Sequence, residues 1–324
     1  MTKAILVSAT GGPDVLEWAD HPVGEPGPGE IKVRTAAAGL NFIDVYYRSG
    51  LYAAPTNPFV PGAEGAGTVI AVGDGVSDLA VGDRVAYVVG LGSYAEERLL
   101  PADRAVKVPD GIDLEIAAGA MLKGMTVEYL LLRTYPVKKG ETILFHAAAG
   151  GVGSMAGRWA KSLGARVIGT VGSEEKAELA RANGYDEVIN YRSEDFVARV
   201  KDLTDGKGVD VVYDSVGKDT FPGSLDCLKP RGMWVSFGQS SGSIEPFPMA
   251  VLSQKGSLYA TRPTLFTYIA SRDDLVNSAG ALFDVIGRGV TSIDVNQRYA
   301  LSDAGQAHED LENRKTTGTT ILLP

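Results

Sequence analysis

The chain has 324 residues, room for about two domains at roughly 150 residues each. Hydrophobic residues make up 44% and charged residues 22%, an ordinary globular balance that excludes wholesale disorder. A net charge of −9 argues against a broad nucleic-acid footprint, and a single cysteine, Cys227, excludes an internal disulfide framework and a multi-cysteine zinc lobe.

The first part reads as short strands at 3–7, 31–38, 68–72, 84–87 and 94–100, separated by turn clusters such as Pro26-Gly27-Pro28-Gly29. That spacing predicts an antiparallel or barrel-like β domain. A helix is predicted from Asp113 to about Thr134, before Pro136. Strands and helices then alternate: strand 142–146, helix 151–163, strand 166–170, helix 174–182, strand 187–190, helix 194–203, strand 209–213, helix 219–228, strand 233–237 and one more strand at 257–260. Alternation of this kind predicts a doubly wound parallel sheet. The tail reads as helix 273–288, strand 296–300, helix 304–313 and strand 319–322. It forms either a third unit or the completion of the first; the second is preferred, because about 60 residues make a small core. The expected domains are therefore 1–120 with 265–324, and 121–264. No membrane span is predicted, since the apolar stretch 112–132 carries Asp113, Glu115, Lys123 and Glu128.

Residues 142–153 read TILFHAAAGGVG. A strand runs into Ala148-x-Gly150-x-x-Gly153 and a helix follows, which is the context a dinucleotide pyrophosphate needs at a helix N-terminus. The alternative is a tight structural turn. The end of the next strand, Thr170-Val171-Gly172-Ser173, holds no acid for a ribose 2′-hydroxyl, and Lys176 and Tyr191 follow. This favours a 2′-phosphate and hence NADPH, with Glu174 and Glu175 as contrary charges and a solvated helix face as the other reading of Lys176. The histidines His21, His146 and His308 lack metal spacing and are read as structural. Tyr135 and Lys139 flank Pro136 and cannot form a one-face tyrosine–lysine pair. Cys227, in a predicted helix, is read as a buried inert thiol. Around Asn41, the aromatic residues Phe42, Tyr46, Tyr47 and Tyr52 suit a planar acceptor, or simply pack the domain.

AAAGGVG at 147–153, NFIDVYYRSGLY at 41–52, PGAEGAGTVIAVGDGV at 61–76, VGDRV at 81–85 and YDSVG at 213–217 resemble medium-chain dehydrogenases/reductases. LKGMTVEYLL at 122–131 and KGSLYATRP at 255–263 are most similar to the zinc-free quinone oxidoreductase branch. The resemblance covers nearly the whole chain. It implies a GroES-like catalytic domain beside the dinucleotide domain. Zinc-dependent members carry His-Glu where this chain has Ala63-Glu64, so no metal is expected.

Carried over by position, Asn41, Tyr46 and Tyr52 would serve the acceptor, and Phe42, Asp44 and Val45 the nicotinamide side. Thr126 and Tyr129 would line the cofactor path. Gly151 and Val152 would meet the pyrophosphate, beside the fingerprint positions Ala148, Gly150 and Gly153. Gly172, Ser173, Lys176 and Tyr191 would meet the 2′-phosphate. Ser215, Phe237, Gly238, Gln239 and Ser240 follow the fourth and fifth strands, and Arg262, Thr317 and Gly318 are further candidates. The expected activity is NADPH-dependent quinone reduction without metal, with enone, alkenal or enoyl reduction as the alternative and an RNA-binding or structural role as the different-class alternative. A cytoplasmic homodimer is expected, paired along the edge strand near 257–260.

Overall fold

The computed structural model describes residues 2–324. It divides into two units: Met1–Met125 with Ser271–Gly287 and Ile293–Pro324, and Thr126–Ala270 with Arg288–Ser292. The tail therefore returns to the first unit.

The first unit opens with β1 (Lys3–Leu6) and β2 (Glu17–Asp20), an antiparallel pair. Next come β3 (Glu30–Gly39), α1 (Phe42–Arg48), β4 (Glu64–Val72), β5 (Arg84–Val88), β6 (Glu97–Pro101) and β7 (Ala105–Lys107). Strands β3, β4, β5 and β7 pair antiparallel in that order, and β6 pairs with β3. Ile31, Val33, Val69, Val85, Tyr87 and Leu100 fill the core of this sheet.

Helix α2 (Leu114–Glu128) continues as a π-helical turn over Tyr129–Thr134. The second unit then alternates β8 (Thr142–Phe145), α3 (Gly151–Ser162), β9 (Arg166–Val171), α4 (Glu174–Ala182), β10 (Glu187–Asn190), α5 (Phe196–Leu203) and β11 (Val209–Asp214). It goes on through α6 (Gly223–Asp226), β12 (Leu228–Ser236), α7 (Ala250–Gln254), β13 (Tyr259–Thr261) and α8 (Leu265–Tyr268). The six strands are parallel, in the order β10-β9-β8-β11-β12-β13. Counted from β8 this is 3-2-1-4-5-6, the doubly wound order of dinucleotide-binding sheets.

The helix expected over 219–228 shrinks to four residues, and Leu228 already pairs with Val209 in the sheet. Pro222 is the residue before this short helix, where its missing N–H costs no helical bond. Cys227 accordingly lies just past the helix, buried. Burial pushes its thiol up to about 12, which agrees with an inert group.

The chain returns through α9 (Arg272–Gly287), β14 (Val295–Ala300), α10 (Ala304–Glu312) and β15 (Thr319–Leu323). Strand β15 pairs with β14 in parallel and with β3 antiparallel, so the first sheet contains strands from both ends of the chain. Ile5, Ala38, Leu40, Tyr94, Leu301, Ala307 and Leu322 pack into one core beneath α10. No helix among the described residues is long and apolar enough to cross a membrane.

Candidate functional site

In the first unit the predicted acceptor residues gather in and around α1: Asn41 before it, Tyr46 on it and Tyr52 just after it. Sequence reading assigned no element to 41–52, yet Phe42–Arg48 is helical. Asn41 is its N-cap, in extended conformation, and a capping box joins it to Asp44. The Asn41 N–H donates to Asp44 Oδ2 at 2.9 Å. The Asn41 side-chain Nδ2 donates to Glu64 Oε1 at 2.8 Å and more weakly to Gly39 O at 3.4 Å. Both amide hydrogens are thus engaged inside the protein, and toward a ligand Asn41 can act only as an acceptor.

Glu64 is fully buried. Its Oε1 also accepts from Lys123 Nζ at 2.9 Å, and its Oε2 from the Leu122 N–H at 2.6 Å. A Cβ on Gly39 would come within 2.3 Å of Glu64 Oε1, so glycine is required there for the carboxylate to lie against β3. In sequence Lys123 is only a charge interrupting an apolar stretch. It is 5% exposed, and its ammonium is what keeps the Glu64 carboxylate compensated.

Asp44 presents no surface at all, being 0% exposed. Its carboxylate accepts the Asn41 N–H and the Tyr94 hydroxyl, so any part it has beside a cofactor runs through those partners. Burial pushes it up to about 7, against the Asn41 and Tyr94 hydrogen bonds. Val45 is also buried, whereas Phe42, Tyr46 and Tyr52 are half-exposed. The Tyr46 and Tyr52 rings meet edge-on at 5.2 Å, and Phe42 lies 6.3 Å from Tyr46. Arg48 turns the other way, into the core.

In the second unit the glycine loop opens α3 at the carboxyl end of β8. Gly150 is the N-cap with no side-chain cap, and helix geometry leaves the first-turn N–H groups without intrahelical partners. A Cβ on Gly153 would stand 2.4 Å from the Ala147 carbonyl oxygen. Ala147 itself is left-handed at φ 57°. The turn is therefore packed tightly against its own backbone, and a side chain at Gly153 would not fit it.

At the end of β9, a Cβ on Gly172 would lie 2.5 Å from the Tyr191 hydroxyl, so the phenol stands over this glycine. The Ser173 hydroxyl caps α4 by accepting the Lys176 N–H. Glu174, one of the two contrary charges, pairs with Arg181 at 2.8 Å. Ser215 and 237–240 interlock: Ser240 N–H bonds Ser215 O, and a Cβ on Gly238 would strike that oxygen at 2.6 Å. Arg262 donates to Ser236 O at 2.9 Å. Thr126 and Tyr129 are buried, and Tyr129 stacks on Tyr268 at 4.5 Å. Thr317 and Gly318 belong to the first unit, beside Asn296.

Sequence reading missed what ties these strand ends together. His146 bridges the Thr170 and Ser224 hydroxyls at 2.9 and 3.1 Å, and Ser224 donates to Asp214 Oδ2 at 2.7 Å. Asp214 also accepts the Val216 and Gly217 N–H groups. The order of the parallel strands could have located this cluster, because β8 and β11 adjoin where the strand order reverses.

The quinone oxidoreductase of Pseudomonas aeruginosa is 56% identical over 100% of both chains. This chain belongs to the quinone oxidoreductase family of medium-chain dehydrogenases/reductases. Two family models match it, the alcohol dehydrogenase GroES-like domain at residues 27–110 and the zinc-binding dehydrogenase at 151–271. The crystal structure of the Escherichia coli quinone oxidoreductase complexed with NADPH has 50% identity and a TM-score of 0.97, over 99% of this chain and 100% of that one. A 2-haloacrylate reductase from Burkholderia is 46% identical over 100% of this chain and 99% of its own.

The residues of this family member do not fit zinc. Ala63 is buried beside Glu64, whose oxygens already take Asn41, Leu122 and Lys123. Among the described residues no group of three or more His, Cys, Asp or Glu could hold a metal ion.

Proposed function

We propose that this protein reduces quinones with NADPH. The observation that carries the reading is the glycine cradle Gly150–Gly153 opening α3 in a 3-2-1-4-5-6 sheet, joined to full-length similarity to quinone oxidoreductases. When bound, the nicotinamide supplies a hydride. The first-turn N–H groups of Gly151, Val152 and Gly153 take the pyrophosphate, with Ala148 and Gly150 keeping the backbone close. Gly172, Ser173, Lys176 and Tyr191 take the 2′-phosphate, a preference helped by Arg181 drawing off Glu174. Ser215, Phe237, Gly238, Gln239 and Ser240 border the nicotinamide half, with Thr126, Tyr129 and Arg262 as supports.

Tyr46 on α1 and Tyr52 in the bend after it wall the acceptor, with Phe42 at one side. Asn41 orients its partners through its carbonyl oxygen rather than polarising the acceptor through N–H. An electron-poor ring spreads incoming charge over its own oxygens, so no dedicated acid is compulsory. The similarity to a 2-haloacrylate reductase favours activated alkenes as a second acceptor class.

A panel of quinones, alkenals and saturated alcohols with both nicotinamide cofactors tests the reading. Quinone reduction faster with NADPH is expected; alcohol oxidation alongside no quinone reduction would overturn it. Tyr46→Phe separates the phenol from the ring, and a loss of about tenfold in kcat/KM would mean that its hydrogen bond matters.

Two copies are proposed to pair along β13, the edge strand of the parallel sheet, where Tyr259 is 59% exposed. Light scattering showing a monomer at micromolar concentration would reject this. A single buried thiol suits a reducing cytoplasm.

A further inference from the structure

Helix α1 is joined to α10 by a file of buried polar side chains. Arg48 NH1 lies 3.3 Å from His308 Nδ1, His308 Nε2 lies 3.1 Å from the Tyr94 hydroxyl, and that hydroxyl lies 3.1 Å from Asp44 Oδ2. Arg48 is 2% exposed and the other three 0%. Arginine only donates. His308 Nδ1 therefore accepts, its proton sits on Nε2, and Nε2–H donates to the Tyr94 oxygen. The Tyr94 O–H is left to donate to Asp44. Every donation runs toward Asp44, whose Oδ2 also takes the Asn41 N–H. Burial and the Arg48 charge hold His308 down at about 3, so the ring is neutral as this pattern demands. Glu312 anchors the far end by pairing with Arg48 at 2.9 Å.

We propose that Tyr94 and His308 are positioning residues for the reaction: His308 directs the Tyr94 hydroxyl onto Asp44, and Asp44 thereby holds the Asn41 turn that begins α1. The proposal rests on the reductase reading above. The groups facing Asp44 make the arrangement sensitive to pH. Asn41 N–H, Tyr94 O–H and Lys123 favour its carboxylate, Glu64 opposes it, and the Tyr47 phenol feels its charge. Burial outweighs the favourable contacts and raises Asp44 to about 7. The carboxylate that accepts both hydrogen bonds is therefore lost as pH falls through neutrality. Removing the Tyr94 hydroxyl removes a bond that favours the carboxylate, so the loss moves to higher pH.

Infrared spectroscopy reads the protonated carboxyl of Asp44 directly, with Asp44→Asn to assign the band. Tyr94→Phe is expected to move both this titration and the acid limb of kcat/KM upward by about one pH unit. The amide of His308→Gln can accept from Arg48 and donate to Tyr94, so this variant should keep the Asp44 titration and the acid limb where wild type has them, while His308→Leu should follow Tyr94→Phe. An Asp44 titration unmoved in Tyr94→Phe, or an acid limb that stays put while the titration moves, would overturn the proposal. If His308→Leu does not fold, the Phe and Gln variants decide. The infrared titration needs no substrate, so a protein that turns over no acceptor defeats the reductase reading separately.

Discussion

Asp44 and His308 share one hydroxyl: the Tyr94 oxygen lies 3.1 Å from each. Burial penalises the charged form of both, and the consequences for stability have opposite signs. Asp44, raised from 3.8 to about 7, keeps its proton in the fold after the unfolded chain has lost it, so its contribution falls as pH rises through that window. His308, lowered from 6.5 to about 3, stays neutral in the fold while the unfolded chain takes up a proton, so its contribution is lost as pH falls below 6.5. Between about pH 4 and 6.5 the two offset each other. Asp44→Asn should make stability climb with pH across that range, by up to about 1.4 kcal/mol per unit relative to wild type. His308→Gln should make it fall by a similar amount. Urea midpoints measured against pH check this, and parallel curves for all three proteins would reject it.

Lys123 and Glu64 form a buried ion pair at 2.9 Å. Lys123→Met should destabilise by about 3–5 kcal/mol, because it strands a buried carboxylate. Adding Glu64→Gln should recover much of that loss, since the neutral amide no longer needs a cation. A double-mutant cycle in urea gives the coupling. Equal stability of the two variants would show that the ammonium is not what compensates Glu64.

Gly153→Ala should cost about 1–3 kcal/mol, because the new methyl meets the Ala147 carbonyl at 2.4 Å and the neighbour is backbone. The same shift should pull the α3 N-terminus out of register with a pyrophosphate. NADPH titration is expected to show weaker binding even where the variant remains folded. Unchanged affinity would mean that the cradle is not the pyrophosphate site.

Lys176→Ala should weaken NADPH roughly ten- to a hundredfold and leave NADH nearly unchanged, the worth of one charge-assisted hydrogen bond. Added salt should hurt NADPH more than NADH. Titration of both cofactors against wild type and variant measures this. A variant that loses both alike would show that the end of β9 does not read the phosphate.

The parallel domain was largely legible because its punctuation is local. Gly164 and Asn183-Gly184 stop the α3 and α4 helices within a residue or two of where the pattern ends. Helix α1 was not, since Phe42–Arg48 is short and rich in aromatic and β-branched residues, for which helix propensity is poor. Its sign was the Asn41–Asp44 spacing of a capping box. The α2 prediction was sound in length but not in kind, because the last turn widens to a π-helix at Tyr129. The aromatic cluster of Tyr46 and Tyr52 could be read from spacing, whereas Lys123 against Glu64 and Arg48 against His308 could not. Those partners lie 59 and 260 residues apart, and only the sheet order brings them together.

The pairing of β15 with β3 sets an order of events during synthesis. Ile321 pairs with Gly39, and the Leu40 N–H bonds the Thr320 carbonyl, immediately before the Asn41 turn. On the ribosome the second unit, nearly all of it in one continuous run from Thr126 to Ala270, can close while the first still lacks a strand. Until β15 emerges, residues 38–40 keep an open β edge beside an unfinished core, the kind of surface that chaperones cover. The Asn41 turn thus leans on a strand that is translated long after it.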